Sequence, residues 1–111
     1  MKVSELVEKL GLAVYSGQNG LDREITGGYV SDLLSDVMGN ASEGMVWITL
    51  QVHQNVMAIS SLKDLAAVIL VSSLVPQDNT IQHSNDENIP VLGTNLPAFE
   101  IAGKMYQLLN P

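Results

Sequence analysis

Three hydrogen-bonding side chains fall within a few residues of one another at Gln51, His53 and Asn55, in the stretch "WITLQVHQN". A helix cap needs one polar residue, not three. Two amides and an imidazole so placed suit the recognition of a small ligand, and His53 has the chemistry of a general base. Two similar endings follow other β-favouring runs: "AVILVSS" closes on Ser72 and Ser73, and "VLGTN" on Thr94 and Asn95. The segment "DREITGGYVSD" adds Arg23, Thr26, Gly27, Gly28, Ser31 and Asp32. In open α/β sheets ligands settle beyond the carboxyl ends of the strands, where helix N-termini offer free N–H groups. One polar crevice lined from four segments is therefore expected. Its candidate ligand-binding residues are Arg23, Thr26, Gly27, Gly28, Ser31, Asp32, Gln51, His53, Asn55, Ser72 and Thr94. Taken singly, each Ser, Thr, Asn or Asp here is also an ordinary cap or turn residue.

Other chemistry has less to stand on. The pair Gly27-Gly28 lacks the lysine that a phosphate-binding P-loop needs, and no GxGxxG occurs. The glycines instead suit positive φ or close backbone approach, in a turn that opens a helix. Arg23 could pair with neighbouring Asp22, or clamp a carboxylate or phosphate. His53 and His83 are the only histidines, without HxxH or HxxxH spacing, so no metal site is expected. There is no GxSxG elbow, and no paired carboxylates sit in an apolar setting.

The elements that must position these residues read from periodicity. Val3, Leu6, Val7 and Leu10 form a helical stripe stopped by Gly11. Leu12–Tyr15 suits a short strand, and "SGQNG" a turn. Glu24–Val30 reads as a strand weakened by its glycines. Val30, Leu33, Leu34, Val37, Met38 and Ala41 are the cleanest helical stripe, with Ser31 or Asp32 as cap and Gly39 or Gly44 as stop. "MVWITLQV" and "AVILV" are strands, and "HQNVMAISSLKDL" between them is long enough for a crossover helix. A helix capped by Asp78 or Thr80 follows, with a thin apolar stripe. "IPVLGT" is a short strand. "NLPAFEIAGKMYQLL" is a closing helix with Asn95 as cap, Pro97 in its first turn, and Phe99, Ala102, Met105, Tyr106 and Leu109 facing the core. Alternating strands and helices predict a compact single α/β domain over residues 1–111, with a mostly parallel sheet and flanking helices.

Composition narrows the partners. With 111 residues, 46% of them hydrophobic and 15% charged, the chain is globular. A formal net charge of −7 argues against binding nucleic acid or an anionic membrane surface. The absence of cysteine removes disulfides and thiolate chemistry and suits a reducing cytoplasm. The charge-broken N-terminal stripe does not read as an export signal. "LAAVILV" is too short to span a bilayer.

Four segments together, "DREITGGYVSDLLSDVM", "VWITLQVHQNVMAIS", "DLAAVILV" and "IPVLGTNLPAFEIAGKMYQLL", resemble the DRTGG domain family over nearly the whole chain. Asp22-Arg23 and Thr26-Gly27-Gly28 carry the family's signature with two residues between. Gln77 to Asn88 departs from it in being richer in Asn, Ser and Asp. The resemblance implies a fold similar to the N-terminal domain of HPr kinase and to a MurF-type N-terminal domain. It implies a regulatory module that occurs alone, beside adenosine-ligand-sensing CBS domains, or attached to phosphate acetyltransferase-type enzymes. It supplies no catalytic residue and leaves any ligand or cofactor unidentified.

Three readings follow. The first is a small cytoplasmic regulatory module that binds a small ligand, for instance a nucleotide, in the polar crevice. The second is an interaction or assembly module, a homodimer, that hides strand edges and its C-terminal helix against a partner. The third is an enzyme using His53 as general base.

Overall fold

The computed structural model of the chain describes residues 1–111. In chain order the elements are α1 (Val3–Leu10), β1 (Ala13–Ser16), a 3₁₀ turn (Gln18–Gly20), β2 (Gly27–Val30), α2 (Leu34–Asn40) and β3 (Met45–Thr49). There follow α3 (Asn55–Leu62), β4 (Ala67–Leu70), α4 (Asp78–Glu87), β5 (Val91–Gly93) and α5 (Ala98–Leu109). The five strands form one sheet in the order β1-β5-β4-β3-β2. Strands β2 to β5 are parallel, with Gly28 opposite Val46, Val46 opposite Ala67, and Val68 opposite Val91. Only β1 is antiparallel, pairing Ala13 with Gly93. The expected α/β domain with a mostly parallel sheet is what the chain forms.

The parallel strands step across the sheet in one direction, so their right-handed crossovers lie on one face. There α2 and α3 bury Val37, Ala41, Val56, Met57 and Ile59 against Trp47, Val68 and Leu70. On the other face α1 and α5 bury Val3, Leu6, Ile101 and Met105 against Val46, Ile48, Ile69 and Leu92. Every residue from Leu65 to Val71 is at most 1% exposed, which is why that run is apolar without alternation. The strand order never reverses within the parallel set. The sheet therefore lacks the switch point that opens a crevice between diverging loops.

Helix α4 explains its own thin stripe. Its buried residues are Thr80 and Ser84, which satisfy their hydroxyls against main chain. Thr80 Oγ1 donates to the Val52 carbonyl at 2.8 Å, and Ser84 Oγ to the Ile89 carbonyl at 2.6 Å. Ser84 Oγ also accepts from Ser16 Oγ at 2.8 Å, fastening α4 to the edge strand β1. Hydrogen bonds thus replace part of the apolar contact the sequence lacks.

The Gly11 stop of α1 holds, but the caps expected for α2, α4 and α5 do not. Helix α2 begins after Leu33, because Ser31 Oγ accepts the Leu33 N–H and Asp32 is drawn away to β3. It runs through Gly39 to Asn40, while Gly44 takes a positive φ in the turn into β3. Helix α4 begins after Gln77, with Asp78 inside its first turn and Thr80 in the core. Helix α5 begins after Pro97, because Asn95 Oδ1 accepts from Ser73 Oγ instead. The stripes shift too. Of the α2 stripe only Val37 and Ala41 are buried, and Val30, Leu33 and Met38 are exposed. On α5 the buried positions are Ile101 and Met105, while Phe99 and Tyr106 face outward.

Ser60 is the one buried side-chain polar atom without a partner, on the inward side of α3. An unsatisfied buried hydroxyl carries a desolvation cost of about 1–3 kcal/mol. Ser60→Ala is expected to raise stability by about 1 kcal/mol, read as a higher urea midpoint at unchanged slope. A lower midpoint would show that the hydroxyl is satisfied in solution.

Candidate functional site

The structure divides the expected crevice residues between opposite ends of the sheet. Arg23 and Thr26 lie at the amino ends of the parallel strands. Arg23 is tied down there: Nε donates to the Asn88 carbonyl at 2.8 Å, Nη2 to the Glu87 carbonyl at 3.3 Å, and Nη1 to Asp64 Oδ1 at 3.0 Å. Its guanidinium closes the C-terminus of α4, where unpaired carbonyls and the helix dipole favour a cation. Its carboxylate partner is Asp64 and not neighbouring Asp22. Thr26 Oγ1 donates to the Glu43 carbonyl at 2.8 Å. A concavity of about 300 Å³ opens between these residues, lined by Arg23, Thr26 and the acidic Glu24, Glu43 and Asp64.

Gly27 and Gly28 form no turn. They are half of the edge strand β2, and neither has a positive φ. A Cβ on Gly28 would stand 2.3 Å from Cε at the flexible end of Met105, so this glycine leaves room for an α5 side chain to lie across the sheet edge.

The carboxyl ends gather the remaining residues. Asp32 Oδ1 accepts from Thr49 Oγ1 at 2.9 Å and from the Leu50 N–H at 2.7 Å. Gln51 Nε2 donates back to the Asp32 carbonyl at 3.0 Å, and the Trp47 indole N–H to the Ser31 carbonyl at 2.7 Å. The loops after β2 and β3 are thus laced together. His53 Nδ1 accepts the Asn55 N–H at 3.1 Å, so the imidazole caps α3 with the lone pair a base would use. Ser31, Asp32, Gln51, His53 and Asn55 are brought to one end, but they line neither concavity of the molecule.

Nearby, Asp36 accepts from the Tyr29 hydroxyl at 2.8 Å. This bond, with a further one from Ser31, lowers the Asp36 carboxyl below its ordinary value. The same bond raises the Tyr29 phenol, with desolvation and the Asp36 charge adding to it. The signs differ in consequence. The contribution of Asp36 is fully present above the ordinary carboxyl value and fades as pH falls through its lowered pKa. That of Tyr29 is present below the ordinary phenol value and fades as pH rises through its raised pKa.

After β4 the chain makes a tight turn in which Ser72 and Ser73 have φ of 56° and 63°. Consecutive left-handed residues other than glycine cost roughly 1–2 kcal/mol each. The turn is held by Leu74 N–H to the Val71 carbonyl at 3.1 Å and by bonds to the segment after β5. Ser72 N–H donates to the Leu96 carbonyl and Ser73 N–H to the Thr94 carbonyl, both at 2.9 Å. Beside that segment lies the second concavity, about 330 Å³, lined by Leu10, Gly11, Ala13, Tyr15, Gly93, Thr94, Asn95 and Leu96. Of the candidates only Thr94 is in it. Tyr15 was not among the candidates; the glycine inside "VLGT" is the sequence signal that some group lies across this strand.

No protein-family model matches the chain, and no curated protein matches it. Among solved structures the chain is similar to the CBS and DRTGG domains of the regulatory region of Clostridium perfringens pyrophosphatase, crystallised with its activator diadenosine tetraphosphate. The TM-score is 0.72 at 14% identity, covering 92% of this chain and 44% of that one. The chain thus spans less than half of that regulatory region. The shared fold is the DRTGG-like α/β domain that the four sequence segments imply. No helix of this chain is long and apolar enough to cross a membrane.

Proposed function

We propose that this chain is a cytoplasmic regulatory module that senses a small ligand, for instance a nucleotide, and passes its occupancy to an associated enzyme or sensor domain. The observation that carries the reading is a fold shared over 92% of the chain with a regulatory region whose activator is a dinucleotide. The carboxyl end of the sheet is the ligand-facing end. Ser31, Asp32, Gln51, His53, Asn55, Ser72 and Thr94 all lie there, and the Ser72-Ser73 turn holds two left-handed residues, the kind of strained backbone that clusters at ligand sites. Arg23 and Thr26 belong to the scaffold at the other end. A thermal-shift screen of adenine nucleotides and cofactors tests the reading. A ligand at 100 times its Kd stabilises by about 2.7 kcal/mol, a rise in Tm of roughly 10 °C for a domain of this size. No rise with any compound would sink it.

A second reading has its own observation. Phe99 is 90% and Tyr106 68% exposed on α5, which packs against the uncharged edge strand β2. Unprotected edges and outward aromatics are what a second copy would cover. Self-association through β2 and α5 would appear in sedimentation velocity as a dimer that Phe99→Glu returns to monomer. A monomer at millimolar concentration counts against it.

A further inference from the structure

We infer that the concavity between β1 and the carboxyl end of β5 is a binding site for an uncharged planar heterocycle of nucleoside size, with Tyr15 as its stacking platform and Asn95 as its hydrogen-bonding group. The inference rests on the ligand-sensing reading above and gives that reading a place and a chemistry.

Of the two concavities, the one at the amino ends of the strands is walled by three carboxylates and an engaged arginine. The one at β5 carries no charged residue at all. Its wall is half apolar, from Leu10, Leu96, Ala13 and Tyr15, and half polar, from Thr94, Asn95 and two glycines. A wall divided between apolar side chains and a few hydrogen-bonding groups suits a small flat molecule that carries no charge. At about 330 Å³ it lies at the small end of the range for such sites, enough for a base and sugar and not for a dinucleotide.

The ring is placed by a missing side chain. A Cβ on Gly93 would lie 2.3 Å from Tyr15 Cε2, so the phenol lies directly across the β5 backbone. Every nucleobase has a π-face that stacks on such a ring. Asn95 is exposed, and its Oδ1 accepts from Ser73 Oγ at 3.0 Å. That bond fixes the amide and leaves its Nδ2 donors for an acceptor on the ligand. The strained turn thus has a task here: Ser72 and Ser73 hold the rim of the site through the Leu96 and Thr94 carbonyls and the Asn95 amide.

No cation lines the site, and the chain carries −7, so a phosphate gains nothing by entering. Adenosine is therefore the probe. In a ¹⁵N-HSQC titration the expected shifts centre on Tyr15, Gly93 and Asn95, and adenosine monophosphate binds no more tightly than adenosine. Tyr15→Ala is expected to weaken adenosine about tenfold, the lower range for loss of one base stack. Asn95→Ala weakens it as well, while its urea midpoint shows separately what the lost Ser73 bond costs the fold. Absence of shifts at these residues, or a monophosphate that binds much more tightly, overturns the assignment. A nucleotide that stabilises the chain equally in wild type, Tyr15→Ala and Asn95→Ala also overturns this site, while leaving the regulatory reading intact.

Discussion

Gly20→Ala is expected to cost the domain at least about 3 kcal/mol, more than overpacking a well-filled core usually does. A Cβ at this position would stand 1.9 Å from the Asn88 carbonyl oxygen, 2.8 Å from its carbon and 2.9 Å from Pro90 Cδ. The first two obstacles are backbone, so no rotamer change relieves them. The 3₁₀ turn of Gln18–Gly20 would have to lift off the segment joining α4 to β5. That segment also receives Arg23 at Asn88 and Ser84 at Ile89, so these two fastenings of α4 strain with it. Against a total stability of about 5–15 kcal/mol the loss should show as a large fall in the urea midpoint. Gly103→Ala is the control. Nothing lies within 4 Å of its added Cβ, and in the interior of α5 alanine should gain roughly 0.5–1 kcal/mol. Equal midpoints for Gly20→Ala and wild type would mean that the close approach is not kept in solution.

Trp47→Ala should be comparably severe. Trp47 is fully buried at the centre of the face covered by α2 and α3, and its truncation opens the largest void any single substitution can make here. Such changes cost about 3–5 kcal/mol. The indole N–H also holds the Ser31 carbonyl at 2.7 Å, and with it the loop that carries Asp32 to the end of β3. Trp47→Phe separates the two effects. It keeps most of the volume and removes the hydrogen bond, so it should cost less while quickening amide exchange at Leu33 and Leu50. Exchange at those amides as slow as in wild type would show that the indole serves the core alone.

The sheet was legible in the chain because buried strands and amphipathic stretches advertise themselves. Val3–Leu10 with its Gly11 stop and the run through Ala67–Leu70 needed nothing but periodicity. Polar residues were less legible, because a hydroxyl or carboxylate near a helix start has several partners within reach. Asp32 serves β3 rather than α2, and Asn95 serves Ser73 rather than α5, since tertiary contacts outbid local caps. The α5 stripe misled because Phe99 and Tyr106 are apolar enough to read as core, yet point outward. The site suffered most. Residues such as Arg23 and Gln51 look alike in sequence, and only the sheet's direction separates the end that each occupies. Tyr15 meets Gly93 through an antiparallel pairing between distant segments, which no local pattern announces.

That pairing bears on how the protein is made. Strand β1 is made before the other four, and its only partner in the sheet is β5, the last of the five. The parallel core from β2 to β4 can assemble as it emerges, whereas the N-terminal strand must wait unpaired until Val91–Gly93 has been synthesised. The cleft between them is thus the last part of the sheet to come into being, a lock that closes only once all five strands have been made.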